Sequence, residues 1–140
     1  MPKAKVLFLC TGNSARSQMA EAFLRKYAGD RFDAFSAGLE PQGLNPFARK
    51  VMEEIGLDLS DHYSKDVSEF LGTTYFGYVI TLCDNAESRC PIFPGASIRL
   101  HWPLEDPAAF QGTEEQKLNR FREIRDQIRE RIESWLRELS

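Results

Sequence analysis

The 140-residue sequence predicts an α/β fold, a single domain with a four-stranded parallel sheet and helices on both faces. Two observations lead to this prediction. Short apolar runs of the kind that fill buried parallel strands alternate along the chain with longer segments of helical periodicity. No repeat, low-complexity tract or linker divides the chain, so residues 1–140 are expected to form one domain around one core.

Four short segments are the predicted strands. Residues 5–9 are an apolar run that fits a strand buried on both faces. Residues 32–36 are the second predicted strand, which Gly38 ends. Residues 75–82 are rich in β-branched and aromatic side chains, and residues 97–101 are a shorter fourth candidate.

Three longer segments have the periodicity of amphipathic helices. Residues 17–27 place their apolar side chains on one side. A second predicted helix begins at Pro46, a residue suited to a first turn, and ends at Gly56. The last begins near Glu114, with apolar residues every three or four positions as far as Trp135. Its outward face is dense in Arg and Glu, which indicates a solvated surface with ion pairs.

The composition is that of an ordinary soluble protein, with 42% hydrophobic and 28% charged residues. A formal net charge of −3 gives no reason to expect a nucleic acid or an anionic membrane as partner. No apolar run is long enough for a membrane span or a signal peptide, so we expect a cytoplasmic protein and, as a working assumption, a monomer. In a reducing compartment the three cysteines are expected to be thiols.

The segment after the first predicted strand carries the strongest functional signal. A strand, a seven-residue loop and the start of a helix would direct several backbone N–H groups at one point, which makes an anion site without a basic surface. The predicted substrate-binding residues are Thr11, Gly12, Asn13, Ser14, Ala15, Arg16 and Ser17.

Side chains of this loop have the chemistry of a nucleophilic site. Cys10 beside the positive end of a helix should be a thiolate near neutral pH, and the hydroxyls of Ser14 and Ser17 could donate to it. Arg16 offers a planar fork for two oxygens of a tetrahedral anion. Gly12 and Asn13 tolerate the positive φ that a tight cradle needs. The alternative is a buried cysteine that merely ends a strand.

Cys83 and Cys90 indicate redox chemistry. The carboxyl ends of parallel strands meet at one edge of a sheet, so Cys10 and Cys83 should lie near each other. Asp84 or Asn85 would cap a short helix that leads to Cys90. Two further thiols can supply an electron pair by disulfide exchange. The alternatives are two small buried residues or, less favoured by the spacing, a zinc site.

Asp106 precedes Pro107 in a predicted loop. Asp-Pro is a common turn dipeptide, but a carboxyl at this place could also act as a general acid toward an oxygen that leaves the bound anion.

The sequence from Cys10 to Arg16 and Ser17, Cys-x5-Arg-Ser, resembles the low-molecular-weight protein tyrosine phosphatases and the thioredoxin-coupled arsenate reductases of the same fold. Gln18 is typical of the reductases, where the phosphatases usually have Pro. Two further stretches are similar to the reductases: Ser36-Ala37-Gly38, and Thr81-Leu82-Cys83-Asp84-Asn85-Ala86 with Cys90-Pro91.

The resemblance implies an arsenate reductase in which Cys10 is the nucleophile, Arg16 stabilises the oxyanion and Asp106 is the acid. It further implies a disulfide relay from Cys10 to Cys83 to Cys90, which thioredoxin or a similar dithiol protein would reduce. No cofactor is expected.

Two other functions remain open from the sequence. One is a phosphatase, although Ala108 and Ala109 stand where phosphatases place aromatic residues around a phosphotyrosine ring. The other is a non-catalytic regulator that binds oxyanions or arsenic.

A potassium ion is a further implication of the resemblance. In some of the reductases such an ion is held by residues equivalent to Asn13, Glu21, Ser36 and a carboxylate of the next loop, here Asp66. Lys65 could fill that place with its own ammonium group, and ordinary helix-surface roles are favoured for Glu21 and Asp66. The histidines, His62 and His101, are expected to be structural.

Overall fold

The computed structural model describes residues 3–90 and 98–139 of the chain. Four parallel strands form the sheet, in the order β2-β1-β3-β4. Their bounds are Ala4–Cys10 for β1, Phe32–Gly38 for β2, Tyr78–Thr81 for β3 and Ile98–His101 for β4. The predicted parallel sheet is therefore confirmed. Ser97, which the prediction placed in the fourth strand, lies outside the described residues.

Strand β1 occupies a central position because its apolar run suits a strand covered on both faces. Val6, Leu7, Phe8 and Leu9 are completely buried. The strand pairs with β2 on one side and with β3 on the other. Cys10 is thus carried to the carboxyl edge of the sheet, opposite Gly38 of β2.

The sheet is covered on both of its faces, as predicted. Phe32 and Phe35 are three residues apart in β2, so their side chains point to opposite faces. The ring of Phe32 contacts Trp135 of the last helix. The ring of Phe35 contacts Phe70 and Phe76, which belong to the connection between β2 and β3.

Four α-helices accompany the strands in the described part of the chain: Arg16–Ala28 (α1), Pro46–Glu53 (α2), Asp84–Arg89 (α3) and Glu114–Leu139 (α4). Helix α1 packs on β2 and on α4, and α2 packs on α4. Within residues 3–90 and 98–139 no helix is both long and apolar enough to cross a bilayer.

Local chemistry sets the limits of α2. Asn45 caps its first turn by accepting hydrogen bonds from the amides of Phe47 and Ala48, and Pro46 occupies the first turn as predicted. The helix ends at Glu53, three residues before the predicted end. Gly56 reverses the chain with a φ of 81°, a conformation that suits glycine.

Two further predicted boundaries are wrong. The third strand begins at Tyr78 and not at residue 75, because Tyr75 lies 70% exposed and outside the sheet. The cap of α3 is Cys83, whose Sγ accepts a hydrogen bond from the amide of Ala86, while Asp84 and Asn85 already lie in the helix. Strand propensity and the preferred cap residues therefore misplace an end by one to three residues where tertiary contacts decide it.

Candidate active site

The loop between β1 and α1 forms a cradle of backbone amides at the carboxyl edge of the sheet. Asn13 has a φ of 48°, the left-handed conformation expected of it. Gly12 is not among the residues of positive φ in the described chain, so the prediction for Gly12 is wrong. A Cβ at Gly12 would lie 3.1 Å from the side chain of Gln42, so the small residue leaves room for that side chain.

Helix α1 leaves its N-terminus open toward the loop. Ala15 is its N-cap, and no side chain in the described part of the chain caps the first turn. The amides of that turn are therefore available to an anion, and the helix dipole favours negative charge there.

The thiol of Cys10 lies within this cradle and is 98% buried. Its Sγ lies 2.9 Å from Oγ of Ser17 and accepts a hydrogen bond of 3.3 Å from the amide of Asn13. The side-chain amide of Asn13 donates to Oγ of Ser17 at 2.8 Å, so the Ser17 hydroxyl is left to donate to the sulfur. This arrangement stabilises a thiolate and matches the predicted role of Ser17.

Arg16 and Asp106 face each other across the mouth of the loop. Nη1 of Arg16 donates to the carbonyl of Leu104 at 2.9 Å, which fixes the guanidinium, and Nη2 lies 3.9 Å from Oδ2 of Asp106. Oδ1 of Asp106 accepts a hydrogen bond from the amide of Ala108 and begins a short 3-10 turn. The sequence analysis treated a turn residue and a general acid as alternatives for Asp106. The two roles are compatible, because Oδ1 accepts the turn hydrogen bond and Oδ2 lies on the side of Arg16.

These groups line one cavity of about 200 Å³. Its described lining includes Ala108 and no aromatic side chain, so it offers polar groups to a tetrahedral oxyanion but no ring on which an aromatic substrate could stack. The residues that line it are Cys10, Thr11, Gly12, Ser14, Ala15, Arg16, Gln42, Asp106 and Ala108. The structure therefore brings the predicted loop, Arg16 and Asp106 together.

Cys83 follows β3 and lies beside the loop, because β1 and β3 are neighbours in the sheet. The hydroxyl of Thr11 lies 3.4 Å from Sγ of Cys83 and accepts a hydrogen bond of 2.9 Å from the side chain of Asn85. Between Thr11 and Cys83, either the hydroxyl or the thiol can be the donor. Thr11 thus connects the anion loop with the second thiol.

Cys90 lies at the other end of α3 from Cys83. All three cysteines are thiols in this structure. Burial raises the pKa of Cys90 above its usual value, with a smaller opposing effect of Arg99. Cys90 is therefore protonated in this conformation and a poor nucleophile until it moves.

Gln18, Lys65 and Gly38, to which the sequence analysis gave no role in shaping the anion loop, support that loop from the side away from the cavity. The side-chain amide of Gln18 donates to the carbonyl and to Oδ1 of Asn13, at 3.0 and 3.1 Å. Oδ1 of Asn13 also accepts from the amide of Lys65. A Cβ at Gly38 would lie 2.7 Å from the carbonyl oxygen of Thr11, so β2 can approach the loop only with glycine there. The stretch Ser36-Ala37-Gly38 was a signal for this packing.

Glu21 and Ser36 lie in a buried polar cluster, where Ser36 donates to the Glu21 carboxylate at 2.7 Å. Nζ of Lys65 lies 4.0 Å from the same carboxylate and donates to the carbonyl of Tyr63. Burial lowers the pKa of Lys65, and the charge of Glu21 opposes this effect. Asp66 caps its own 3-10 turn by accepting from Ser68. The expected helix-surface role of Glu21 is therefore wrong, because its side chain is buried. The side chains of Glu21, Ser36 and Asp66 have hydrogen-bond partners within the protein.

The two histidines have polar partners outside the cavity. Nδ1 of His62 lies 2.8 Å from Oε1 of Gln18, and burial lowers the pKa of His62. His101 contacts Thr81 and Asp84. Both contacts are compatible with the structural roles expected from the sequence. Among the residues that the structure describes, no group of three or more His, Cys, Asp or Glu is arranged to hold a metal ion.

Comparison with known proteins places this site in a family. The model of the low molecular weight phosphotyrosine protein phosphatases matches residues 5–140. An arsenate reductase of Halalkalibacterium halodurans is 46% identical over 135 residues, which cover 96% of both chains.

Solved structures are also similar. An arsenate reductase in the phosphate-binding state aligns with a TM-score of 0.82 and 35% identity, covering 98% of this chain and 99% of the other. A thioredoxin-dependent arsenate reductase of Corynebacterium glutamicum aligns with a TM-score of 0.66 and 32% identity, covering 95% of this chain and 62% of the other. The chain therefore belongs to the low molecular weight phosphotyrosine protein phosphatase family, and within it to the arsenate reductases.

Proposed function

We propose that this protein reduces arsenate to arsenite by passing a disulfide from Cys10 to Cys83 and then to Cys90, and that thioredoxin or a similar dithiol protein restores the thiols. The observation that carries the proposal is the placement of Cys83. It lies next to the loop of Cys10, in contact with Thr11, and begins the helix that ends at Cys90. A phosphatase, which needs one nucleophile and water, has no use for two further thiols.

In the first step the Cys10 thiolate attacks the arsenic atom of arsenate. The amides of the loop and the guanidinium of Arg16 stabilise the oxyanion. Asp106 donates a proton to an arsenate oxygen, which leaves as water, and a bond between sulfur and arsenic(V) remains. Of the two carboxylate oxygens, Oδ2 faces the cavity and Arg16, so it is the one assigned to this proton transfer.

In the second step the Cys83 thiolate attacks Sγ of Cys10. The new disulfide joins Cys10 and Cys83, the electron pair of the sulfur–arsenic bond moves to arsenic, and arsenite departs. The Cys90 thiolate then attacks Cys83, which forms the Cys83–Cys90 disulfide and releases Cys10 as a thiolate. An external dithiol finally reduces this disulfide and is itself oxidised.

Coupled turnover tests the function. Purified protein with thioredoxin, thioredoxin reductase and NADPH should oxidise NADPH only when arsenate is added. Cys10→Ser should abolish this oxidation, because an unactivated hydroxyl is a far poorer nucleophile. As a control for an intact cradle, Cys10→Ser should still bind sulfate in calorimetry. Arsenate-dependent turnover by Cys10→Ser would disprove the mechanism, and a glutaredoxin system tested in parallel identifies the reductant.

We also propose that no potassium ion is needed, because the ammonium of Lys65 supplies the positive charge beside Glu21. Replacing potassium chloride by choline chloride at constant ionic strength should then leave kcat/KM unchanged. Lys65→Met should lower kcat/KM, and potassium should restore part of the loss. A strong dependence of the unmodified protein on potassium would contradict this role of Lys65.

A further inference from the structure

The reduced form of α3 keeps Cys83 and Cys90 apart. Seven residues of helix span roughly 10 Å at 1.5 Å per residue, whereas a disulfide requires Cα atoms within about 7 Å. The last thiol exchange of the proposed relay therefore requires α3 to unwind at least in part. Whatever holds α3 in its helical form controls that exchange.

Side chains from β3 and β4 hold α3 through Glu87. The hydroxyl of Thr81 in β3 donates to Oε2 of Glu87 at 2.5 Å. Nη2 of Arg99 in β4 donates to the carbonyl oxygen of Glu87 at 2.6 Å and lies 3.4 Å from its Oε1. Glu87 is thus attached to the sheet by both its backbone and its carboxylate.

His101 adds a second point of attachment. Its Nε2 lies 3.1 Å from Oδ1 of Asp84 in the first turn of α3, and its Nδ1 lies 2.9 Å from the hydroxyl oxygen of Thr81. Both Arg99 and His101 belong to β4, two residues apart, so they point to the same face of the sheet. These contacts depend on α3 being helical, because unwinding would carry Glu87 and Asp84 away from their partners.

We propose that Thr81, Glu87, Arg99 and His101 form a latch that holds α3 helical in the reduced protein and so disfavours the Cys83–Cys90 disulfide. This inference rests on the proposed relay. The four are positioning residues, since Glu87 belongs to α3, the other three contact α3, and none of them lines the anion cavity. With a loose latch, an external disulfide such as glutathione disulfide would oxidise Cys83 and Cys90 before arsenate is bound and would itself be reduced to two thiols. The protein would then consume reductant without reducing arsenate.

The half-buried state of Cys90 agrees with such a latch. Burial raises the pKa of this thiol, so in the closed helix it stays protonated. Opening of α3 would both bring Cys90 within reach of Cys83 and expose it to water, where the thiolate forms more readily. The opening of α3 would thus bring Cys90 close to Cys83 and make its thiol more reactive in the same movement.

The test uses the Cys10→Ser protein without arsenate, so that Cys83 and Cys90 are its remaining thiols. Cys83 attacks glutathione disulfide and releases one glutathione; Cys90 then displaces the second, so that two protein thiols are oxidised and one glutathione disulfide is reduced. Mass spectrometry of acid-quenched samples over a series of glutathione buffers gives the equilibrium constant for this pair.

Thr81→Val in this background removes the hydroxyl at nearly constant volume and leaves every charge in place. The equilibrium constant for the Cys83–Cys90 disulfide should rise about tenfold, the usual effect of losing a hydrogen bond to a charged group. Thr81→Ser, which keeps the hydroxyl, should stay near the parent value. Ser88→Ala is the matched control within α3, because the Ser88 hydroxyl donates to Asn85 of the same helix.

A second variant tests the latch independently, in case Thr81→Val does not fold. Arg99→Gln changes a side chain that is 42% exposed, and it should raise the same equilibrium constant even though loss of its charge by itself disfavours a Cys90 thiolate. An unchanged constant in both Thr81→Val and Arg99→Gln, or an equal rise in Ser88→Ala, would overturn the latch. Failure of the parent Cys10→Ser protein to form a Cys83–Cys90 disulfide would instead overturn the relay itself, and the latch with it.

Discussion

Asp106 has two oxygens with different surroundings, and this difference predicts a separation of effects. Oδ1 accepts the amide of Ala108, whereas Oδ2 faces Arg16. In Asp106→Asn the side-chain oxygen can keep the bond to Ala108, so the turn is retained while the acid is lost. We expect the single-turnover rate of arsenite release to fall by about 100-fold or more.

Rapid quenching of the reduced protein with arsenate measures this rate. Asp106→Ala is the companion variant, which loses the turn as well and should also be less stable in urea. A single-turnover rate for Asp106→Asn equal to that of the unmodified protein would contradict its role as the acid.

Cys90 acts last in the proposed relay, and a single replacement of Cys90 tests this order. Cys90→Ser should release about one arsenite per protein molecule and then stop with a Cys10–Cys83 disulfide, because no thiol remains to open it within the chain. Peptide mass spectrometry after one addition of arsenate checks the pairing. Cys83→Ser is the matched control, which should release no arsenite; sustained turnover by Cys90→Ser with thioredoxin would refute the order of the relay.

Single residues also show which features of the site the sequence could predict. Cys10, Arg16 and Ser17 lie close together in sequence, at the two ends of the loop between β1 and α1, so local spacing was enough to identify them. Gln18 and Lys65 lie on different segments and meet at Oδ1 of Asn13 only because the fold brings them there. A local sequence pattern does not predict contacts between segments that are distant in the chain.

Helix α3 is the element whose change of conformation the proposed chemistry requires. In the reduced protein its amides are held by helical hydrogen bonds and by contacts with the sheet, whereas the Cys83–Cys90 disulfide is too short to span an intact helix. We expect faster amide exchange over residues 84–89 in the oxidised protein than in the reduced one.

Hydrogen–deuterium exchange measured by mass spectrometry tests this expectation. Helix α2, which is capped by Asn45 and far from the thiols in sequence, serves as the internal control and should exchange equally in both forms. Equal protection of residues 84–89 in the two redox states would rule out the unwinding.

The ends of elements were harder to predict than the elements themselves. The existence and order of the strands and of the long helices followed from apolar periodicity. The start of β3 and the cap of α3 did not. Tyr75 has strong strand propensity but no place in the sheet, and Cys83, a poor cap by residue type, caps α3 because the strand before it delivers its sulfur there.

Across the whole molecule, α2 is attached to α4 by an ion-pair cluster around Glu54. Nη2 of Arg122 lies 2.6 Å and Nη1 of Arg125 lies 3.1 Å from its carboxylate, and Arg125 also donates to the carbonyl of Val51. The pKa of Glu54 is lowered from the 4.5 of an unperturbed glutamate carboxyl, and the hydrogen bond from Arg122 is the largest cause.

This lowered pKa predicts how stability depends on pH. Because the folded protein binds the Glu54 proton less readily than the unfolded chain, the stabilisation is present above pH 4.5 and is lost as the pH falls through the lowered pKa. Glu54→Gln should therefore be less stable than the unmodified protein at pH 7, and the difference should shrink toward pH 3. Urea unfolding at both values, with the exposed Glu53→Gln as control, measures this. A difference that does not depend on pH would contradict the assignment.

The cradle between β1 and α1 offers mainly backbone amides to an anion, so anion binding and the choice of reaction depend on different parts of the chain. Many side chains around such a loop can change while the place for a tetrahedral anion persists. The reaction is then decided by neighbours such as Cys83, Cys90 and Ala108, which belong to other segments of the chain. A lineage with this architecture could therefore change from hydrolysis to reduction by substitutions outside the loop. Every intermediate protein in that lineage could still bind the anion.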